Sequence, residues 1–278
     1  MMTEWMMASG FDEEALAEAY NRALTLEKAG EAAAAAAAYR ECLALDPDDH
    51  GGAAIRLAAL GQGETPASAG DAYVATLFDQ HADAFEDILV RQLQYGVPAL
   101  IAERLEEIAP GPYRRMLDLG CGTGLAGEAL ADRADIIIGV DLSEGMIEIC
   151  FDKGVHDQLF IGEAVGFLED FDEEEPFDLV VAADVLPYLG DLDPLFAGAA
   201  RRMAGGGVLA FSTETLSDEA FGGRDFMVGP HQRFHHRARY VQDRLEAHGF
   251  DTLACEDITV RWQEGQKAPG HLVLARRR

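Results

Sequence analysis

Residues 116–125, reading MLDLGCGTGL, constrain this chain more than any other stretch, because an apolar strand runs directly into three closely spaced glycines that open a helix. Glycine turns the backbone at positive φ without strain and lets a ligand approach where a Cβ would block it. The helix that follows, over about residues 125–133, directs its first N–H groups at whatever the loop holds. A strand–loop–helix unit of this kind is a cradle for a nucleotide-like ligand, and it predicts an enzyme of the α/β class.

The same rhythm repeats downstream. Residues 136–141 are apolar and rich in isoleucine and end in Asp141, as a parallel strand buried on both faces would. Ser143 follows as the expected cap of the next helix. Further strands are expected over residues 158–161, 177–183, 208–212, 252–255 and 272–274, with helices over 194–203 and 239–248. Strands alternating with helices imply right-handed crossovers and a mainly parallel sheet.

Spacing narrows the choice of ligand. Dinucleotide folds use G-x-G-x-x-G, with an acid about 20 residues on. Here Gly120, Gly122 and Gly124 are one residue tighter, and Asp118 precedes them by two. Written LDLGCGTG, the stretch resembles motif I of the class I S-adenosylmethionine (SAM)-dependent methyltransferases. The resemblance implies a Rossmann-like fold with a mainly parallel seven-stranded sheet, the last strand antiparallel, and SAM as cofactor. It places Asp118 near the methionyl amino end and Gly120, Cys121, Gly122 and Gly124 against the body of the ligand. It puts Asp141 on the two ribose hydroxyls with Leu142 beside it, and Met146, Glu163 and Ala164 around the adenine. Ala183 leaves room for the ligand, and Asp184, Leu186 and Tyr188 face the transferred methyl. Taken without the resemblance, Asp141 also reads as a helix cap, Met146 as core and Tyr188 as a structural aromatic.

The first third differs in character. Residues 14–45 are alanine-rich and helical, broken at Gly30 and stopped at Asp46 and Pro47. Gly30, Ala35, Tyr39, Leu43, Leu45 and Pro47 resemble the turn, packing and terminal positions of one tetratricopeptide repeat (TPR); a plain high-propensity helix pair is the alternative. Residues 78–85 place Phe78 and Phe85 on one face of a helix and resemble the FD-x-x-A-x-x-F segment that covers the SAM site in TPR-bearing methyltransferases, the subgroup this chain is taken to join. The expected organisation is a TPR-like segment over residues 1–61, a linker and lid helices over 62–110, and the methyltransferase domain over 111–278.

Methyl transfer from a sulfonium requires positioning more than a protein nucleophile. A base, where the acceptor needs one, is sought in the insertion His231-Gln232-Arg233-Phe234-His235-His236. Arg233, Phe234 and His236 match an R-[FY]-x-H pattern of the same subgroup, and a histidine pKa of about 6.5 suits a base near neutrality. The catalytic candidates are therefore His236, Arg233 and Tyr188. No metal is expected, since the three histidines lack companion ligands and Cys42, Cys121, Cys150 and Cys255 are widely spaced.

Charge argues against a nucleic-acid acceptor. The chain carries a net −28, with acids in excess both before and after residue 70, which opposes loading onto a phosphate backbone. The opening residues, MMTEW, lack the basic start and apolar stretch of a leader, and no run of 18 apolar residues occurs, so a cytoplasmic protein is expected. The main reading is methyl transfer to a small molecule. A protein acceptor docked through the helical cap, or a SAM-binding protein without turnover, stands beside it, and the N-terminal helices are expected to support a homo-oligomer.

Overall fold

The computed structural model describes residues 12–229 and 231–278. The leader reading, made on residues 1–5, lies outside them. Helix α1 (Glu13–Lys28) is capped by the Asp12 side chain and reverses at Gly30 into α2 (Ala32–Leu45), which ends before Pro47. Small residues let the two approach closely: Ala19 and Ala23 of α1 meet Ala35, Ala36, Tyr39 and Cys42 of α2 in one buried cluster. Helix α3 (Ala53–Ala59) joins the edge of this cluster through Ala53 and Leu57 but turns Ile55 the other way.

Helix α4 (Asp71–Asp79) stops earlier than the sequence pattern predicts. A 3₁₀ turn at Ala82–Ala84 and a π-helical turn at Asp87–Gln92 follow, then α5 (Val97–Ile108). Phe78 and Phe85 thus do not share one helical face. The break bends the chain and brings the two rings edge to face, with centroids 5.9 Å apart.

The remainder alternates as expected: β1 (Tyr113–Leu119), α6 (Leu125–Leu130), β2 (Ala134–Asp141), α7 (Glu144–Lys153), β3 (Gln158–Ile161), α8 (Ala164–Asp170), β4 (Phe177–Ala182), α9 (Asp193–Arg202) and β5 (Met203–Glu214). An insertion of α10 (Asp218–Phe221) and an antiparallel ribbon, β6 (Phe226–Val228) with β7 (Phe234–His236), precedes α11 (Ala238–Ala247). A long hairpin, β8 (Phe250–Gln263) and β9 (Gln266–Arg277), closes the sheet. Strand β8 is far longer than its apolar core over 252–255 indicated, because its pairing with β9 continues to Gln263, interrupted only by register shifts at Leu253 and Val260.

Strand order is β3-β2-β1-β4-β5-β9-β8, parallel throughout except for β9, which is antiparallel to both neighbours. This is the Rossmann-like methyltransferase arrangement with the last strand reversed. Separate apolar clusters cover the two faces, one centred on Leu117, Val180 and Phe211 and the other on Met116, Val181 and Leu274. Sequence order turns back between β1 and β4, and ligands of open α/β sheets bind outside the carboxyl ends at such a switch.

Residues 61–70, which read as a linker, are pinned at this end of the sheet. Ser68 bridges to Leu189, the Ala69 N–H donates to the Tyr188 carbonyl at 2.8 Å, and the Gly190 N–H donates to the Ala67 carbonyl at 2.7 Å. Ile55 of α3 and Ala69 pack on Val228 and Phe234 of the ribbon, so helices, linker and insertion share one cluster. Gly190 sits where they converge: a Cβ there would lie 2.6 Å from Phe234, 2.7 Å from Phe226 and 2.9 Å from the Pro66 carbonyl. Gly190→Ala is expected to destabilise the protein by about 1–3 kcal/mol, the usual cost of overpacking, as measured by urea denaturation.

Candidate active site

The β1–α6 loop is built around one carboxylate. Asp141, at the end of β2, accepts from the Gly122 N–H through Oδ2 and from the Ser143 N–H through Oδ1, each at 2.9 Å. Burial pushes its pKa up to about 6, with the two N–H groups offsetting part of the rise. Ser143, not Asp141, caps α7 by accepting from the Met146 N–H at 3.1 Å. Gly122 takes φ 53°, and a Cβ there would meet only Phe85, at 3.9 Å, so the loop opens onto free space. Helix α6 spans only six residues, ending earlier than the sequence pattern over 125–133 predicts.

That space is a cavity of about 300 Å³, at the low end of the roughly 300–1,000 Å³ typical of small-ligand sites. Asp118, Gly120, Cys121 and Gly122 line it from β1 and the loop, and Asp141 and Leu142 from β2. Glu163 and Ala164 line it from the start of α8, where Glu163 also caps the helix by accepting from the Gly166 N–H at 2.7 Å. Ala183, Asp184 and Tyr188 follow β4, and Phe78 and Phe85 cover the opening. Gly124 and Met146 are placed differently from the sequence expectation. Gly124 faces Cys150 and His156, and Met146 is fully buried in α7, neither bordering the cavity.

Two clamps that no motif announced hold the cover down. Asp79, at the end of α4, accepts from Ser143 Oγ at 2.5 Å and from the Gly145 N–H at 3.2 Å. Glu86 accepts from Thr123 Oγ1 at 2.6 Å and from Lys153 Nζ at 2.5 Å. Partial burial would raise the Glu86 pKa, but Lys153 and Thr123 reverse the sign and lower it.

At the opposite end of the cavity lies a buried charge network. Arg233 donates to Tyr188 Oη and to Glu214 Oε1, each at 2.5 Å, and its Nη2 lies 2.7 Å from Asp184. Arg261 also donates to Glu214. Burial opposes every charge here. It raises the Asp184 pKa despite Arg233, whereas for Glu214 the two arginines outweigh it and hold the acid down at about 2. Tyr188 is pushed up to about 12 by burial and stays a neutral donor. Asp184 adopts φ 63°, fixed by its N–H donating to Ser212 Oγ at 3.0 Å, and its Oδ1 is among the buried atoms without a hydrogen-bond partner.

His236 does not belong to this group. It is fully buried on β7, its Nε2 is 3.2 Å from the Gly190 carbonyl, and its ring stacks 6.1 Å from Tyr240. Burial lowers its pKa to about 4. The expectation of a base reaching over the cavity from His236 is corrected: pairing of β6 with β7 turns this residue inward, while Arg233, just before β7, reaches the cavity.

Residues 117–211 match the family model described as a methyltransferase domain. Together with the strand order and the glycine loop, this match makes the region a class I SAM-dependent methyltransferase domain. Among curated relatives, the ubiquinone biosynthesis O-methyltransferase of Coxiella burnetii is 31% identical over 109 residues, 39% of this chain and 47% of the relative. That of Hahella chejuensis is 29% identical over 119 residues, 42% of this chain and 50% of the relative. The chain thus spans about half the length of the curated relatives it matches. The N-methyltransferase NodS from Bradyrhizobium japonicum, solved with S-adenosylhomocysteine, shares the fold at a TM-score of 0.56 and 17% identity, over 73% of this chain and 98% of NodS.

Glu86→Ala removes one clamp and leaves the other. Amides of residues 80–86 are expected to exchange about tenfold faster, equivalent to about 1.4 kcal/mol of lost local stability, as read by hydrogen-exchange mass spectrometry.

Proposed function

We propose that this protein transfers the methyl group of SAM to a hydroxyl of a small molecule. One observation carries the reading: a single cavity joins the Asp141-braced glycine loop to the buried Asp184–Tyr188–Arg233 end. The open space over Gly122 and the buried carboxylate beside it fit an uncharged ribose and a flat base without any cationic phosphate site. SAM supplies the methyl as an electrophile when bound. Asp141 keeps a free lone pair on each oxygen for the ribose hydroxyls, Asp118 stands at the methionyl end, and Phe78 and Phe85 exclude water. Asp184 Oδ1 accepts the proton of the acceptor hydroxyl, Tyr188 donates to the acceptor, and Arg233 positions both. The O-methyltransferase relatives support oxygen as the target atom.

The helices within residues 12–61 serve this site as a TPR-like brace, supported by the packing of Ile55, together with Ala69, against the ribbon that follows Arg233. Incubation with methyl-labelled SAM and fractionated lysate tests the acceptor class: label in the small-molecule pool is expected. Label in polypeptide would transfer the role of the helices to protein docking, and SAM binding without any label would mark a binding protein.

Three substitutions test the assignments. SAM affinity measured by calorimetry is expected to fall as pH drops below about 6, where Asp141 becomes protonated and loses acceptor capacity, and Asp141→Asn is expected to bind weakly with no such pH dependence. Asp184→Asn is expected to lower turnover about 10²–10⁴-fold at unchanged SAM affinity, the range of a lost general base. His236→Ala, corrected for folded fraction, is expected to change turnover by less than about threefold, since a group off the cavity contributes no proton transfer.

A further inference from the structure

We infer that Cys121, Cys150 and His156 form a binding site for a thiophilic divalent cation of the zinc type, set directly beneath the glycine loop. One ligand atom from each, two Sγ and one imidazole nitrogen, lies within 4.8 Å of the others. Cys150 Sγ is 3.3 Å from His156 Nδ1. With zinc–sulfur and zinc–nitrogen bonds of about 2.3 and 2.0 Å, tetrahedral ligands stand about 3.5 Å apart, so this pair already has the spacing of a bound ion.

The histidine is oriented for the role. Its Nε2 lies 3.1 Å from Asp118 Oδ2, which leaves Nδ1 as the ring atom that faces the sulfurs. A carboxylate holding the far nitrogen of a ligating imidazole is the usual outer-shell partner of a zinc-bound histidine. The ring has no other place to go: a Cβ at Gly127 would lie 2.4 Å from its Cε1, and one at Gly139 2.9 Å from its Cδ2. Both thiols and the Asp118–His156 pair are buried.

Charge balance favours a divalent ion. Two thiols and the imidazole each give up a proton on binding, and the two thiolates cancel the +2 charge of the ion. Cys121 borders the main cavity, which provides the ion's access route and leaves room for a fourth ligand. Cys150 and His156 do not border the cavity, so the site is tested apart from methyl transfer through these two residues.

The full chain, reduced and stripped of metal, is titrated with cadmium while the thiolate-to-cadmium charge-transfer absorption is followed, and with zinc against a chromophoric chelator. The absorption reports sulfur ligation only, so cations adsorbed by the many surface acids do not register. Saturation at one equivalent with the intensity of two thiolates is expected. Cys150→Ser and His156→Ala are expected to weaken zinc binding by more than about 100-fold and Asp118→Asn by about 10–100-fold. Cys42→Ser and Cys255→Ser are expected to change nothing. Absence of the band in the unmodified chain overturns the site whatever the variants do, as does full retention of it in folded Cys150→Ser.

Discussion

The Asp141 carboxylate is the point on which the site depends. Its two oxygens take N–H groups from two different loops, that of Gly122 after β1 and that of Ser143 after β2, and so lock the adjacent parallel strands at their carboxyl ends. The bonds fix the glycine loop in an open form before any ligand arrives, and preorganisation of that kind reduces the ordering cost of binding. Burial makes the arrangement expensive for an ionised acid, as the rise of its pKa to about 6 records. A hydroxyl-bearing ligand that donates to the remaining lone pairs relieves that cost.

The same balance governs the far end of the cavity. Asp184, Glu214, Arg233 and Arg261 place two negative and two positive side chains in a largely dry region. A buried network of this type is poor evidence for stability, since desolvation consumes most of its Coulombic gain. What it provides is position. Arg233 cannot rotate without abandoning three partners, and Tyr188 is held between its guanidinium, 4.8 Å from the ring centre, and the Phe78 ring at 5.3 Å.

Much of this was legible in the sequence wherever function is written locally. Gly120, Gly122, Asp118 and Asp141 lie within one β-α-β unit, and their spacing announced the loop and the parallel strands that flank it. Features made by chain segments distant in sequence were not readable. Cys121, Cys150 and His156 converge only after α7 folds back under the loop, with no local metal-ligand spacing to betray them. Glu86 meets Thr123 across 37 residues, and its role depends on a helix break between Asp79 and Ala82 that the pattern of aromatic residues concealed. His236 misled because three histidines within six residues look like a reactive loop, and only the pairing of β6 with β7 decides which of them face inward.

The stretch from Gln62 to Gly70 has the composition of an idle spacer, yet its peptide groups are hydrogen-bonded to Tyr188 and Gly190. A spacer decouples what it joins, whereas this one transmits. A molecule gripping the N-terminal helices would act on the same peptide groups that hold Tyr188 in the cavity wall, and by thermodynamic reciprocity a ligand seated in the cavity there would alter how tightly that molecule is held. Evolution is thereby denied the freedom usual for surface loops: an insertion at this junction would be felt not as added length but as a displacement of Tyr188 in the cavity wall.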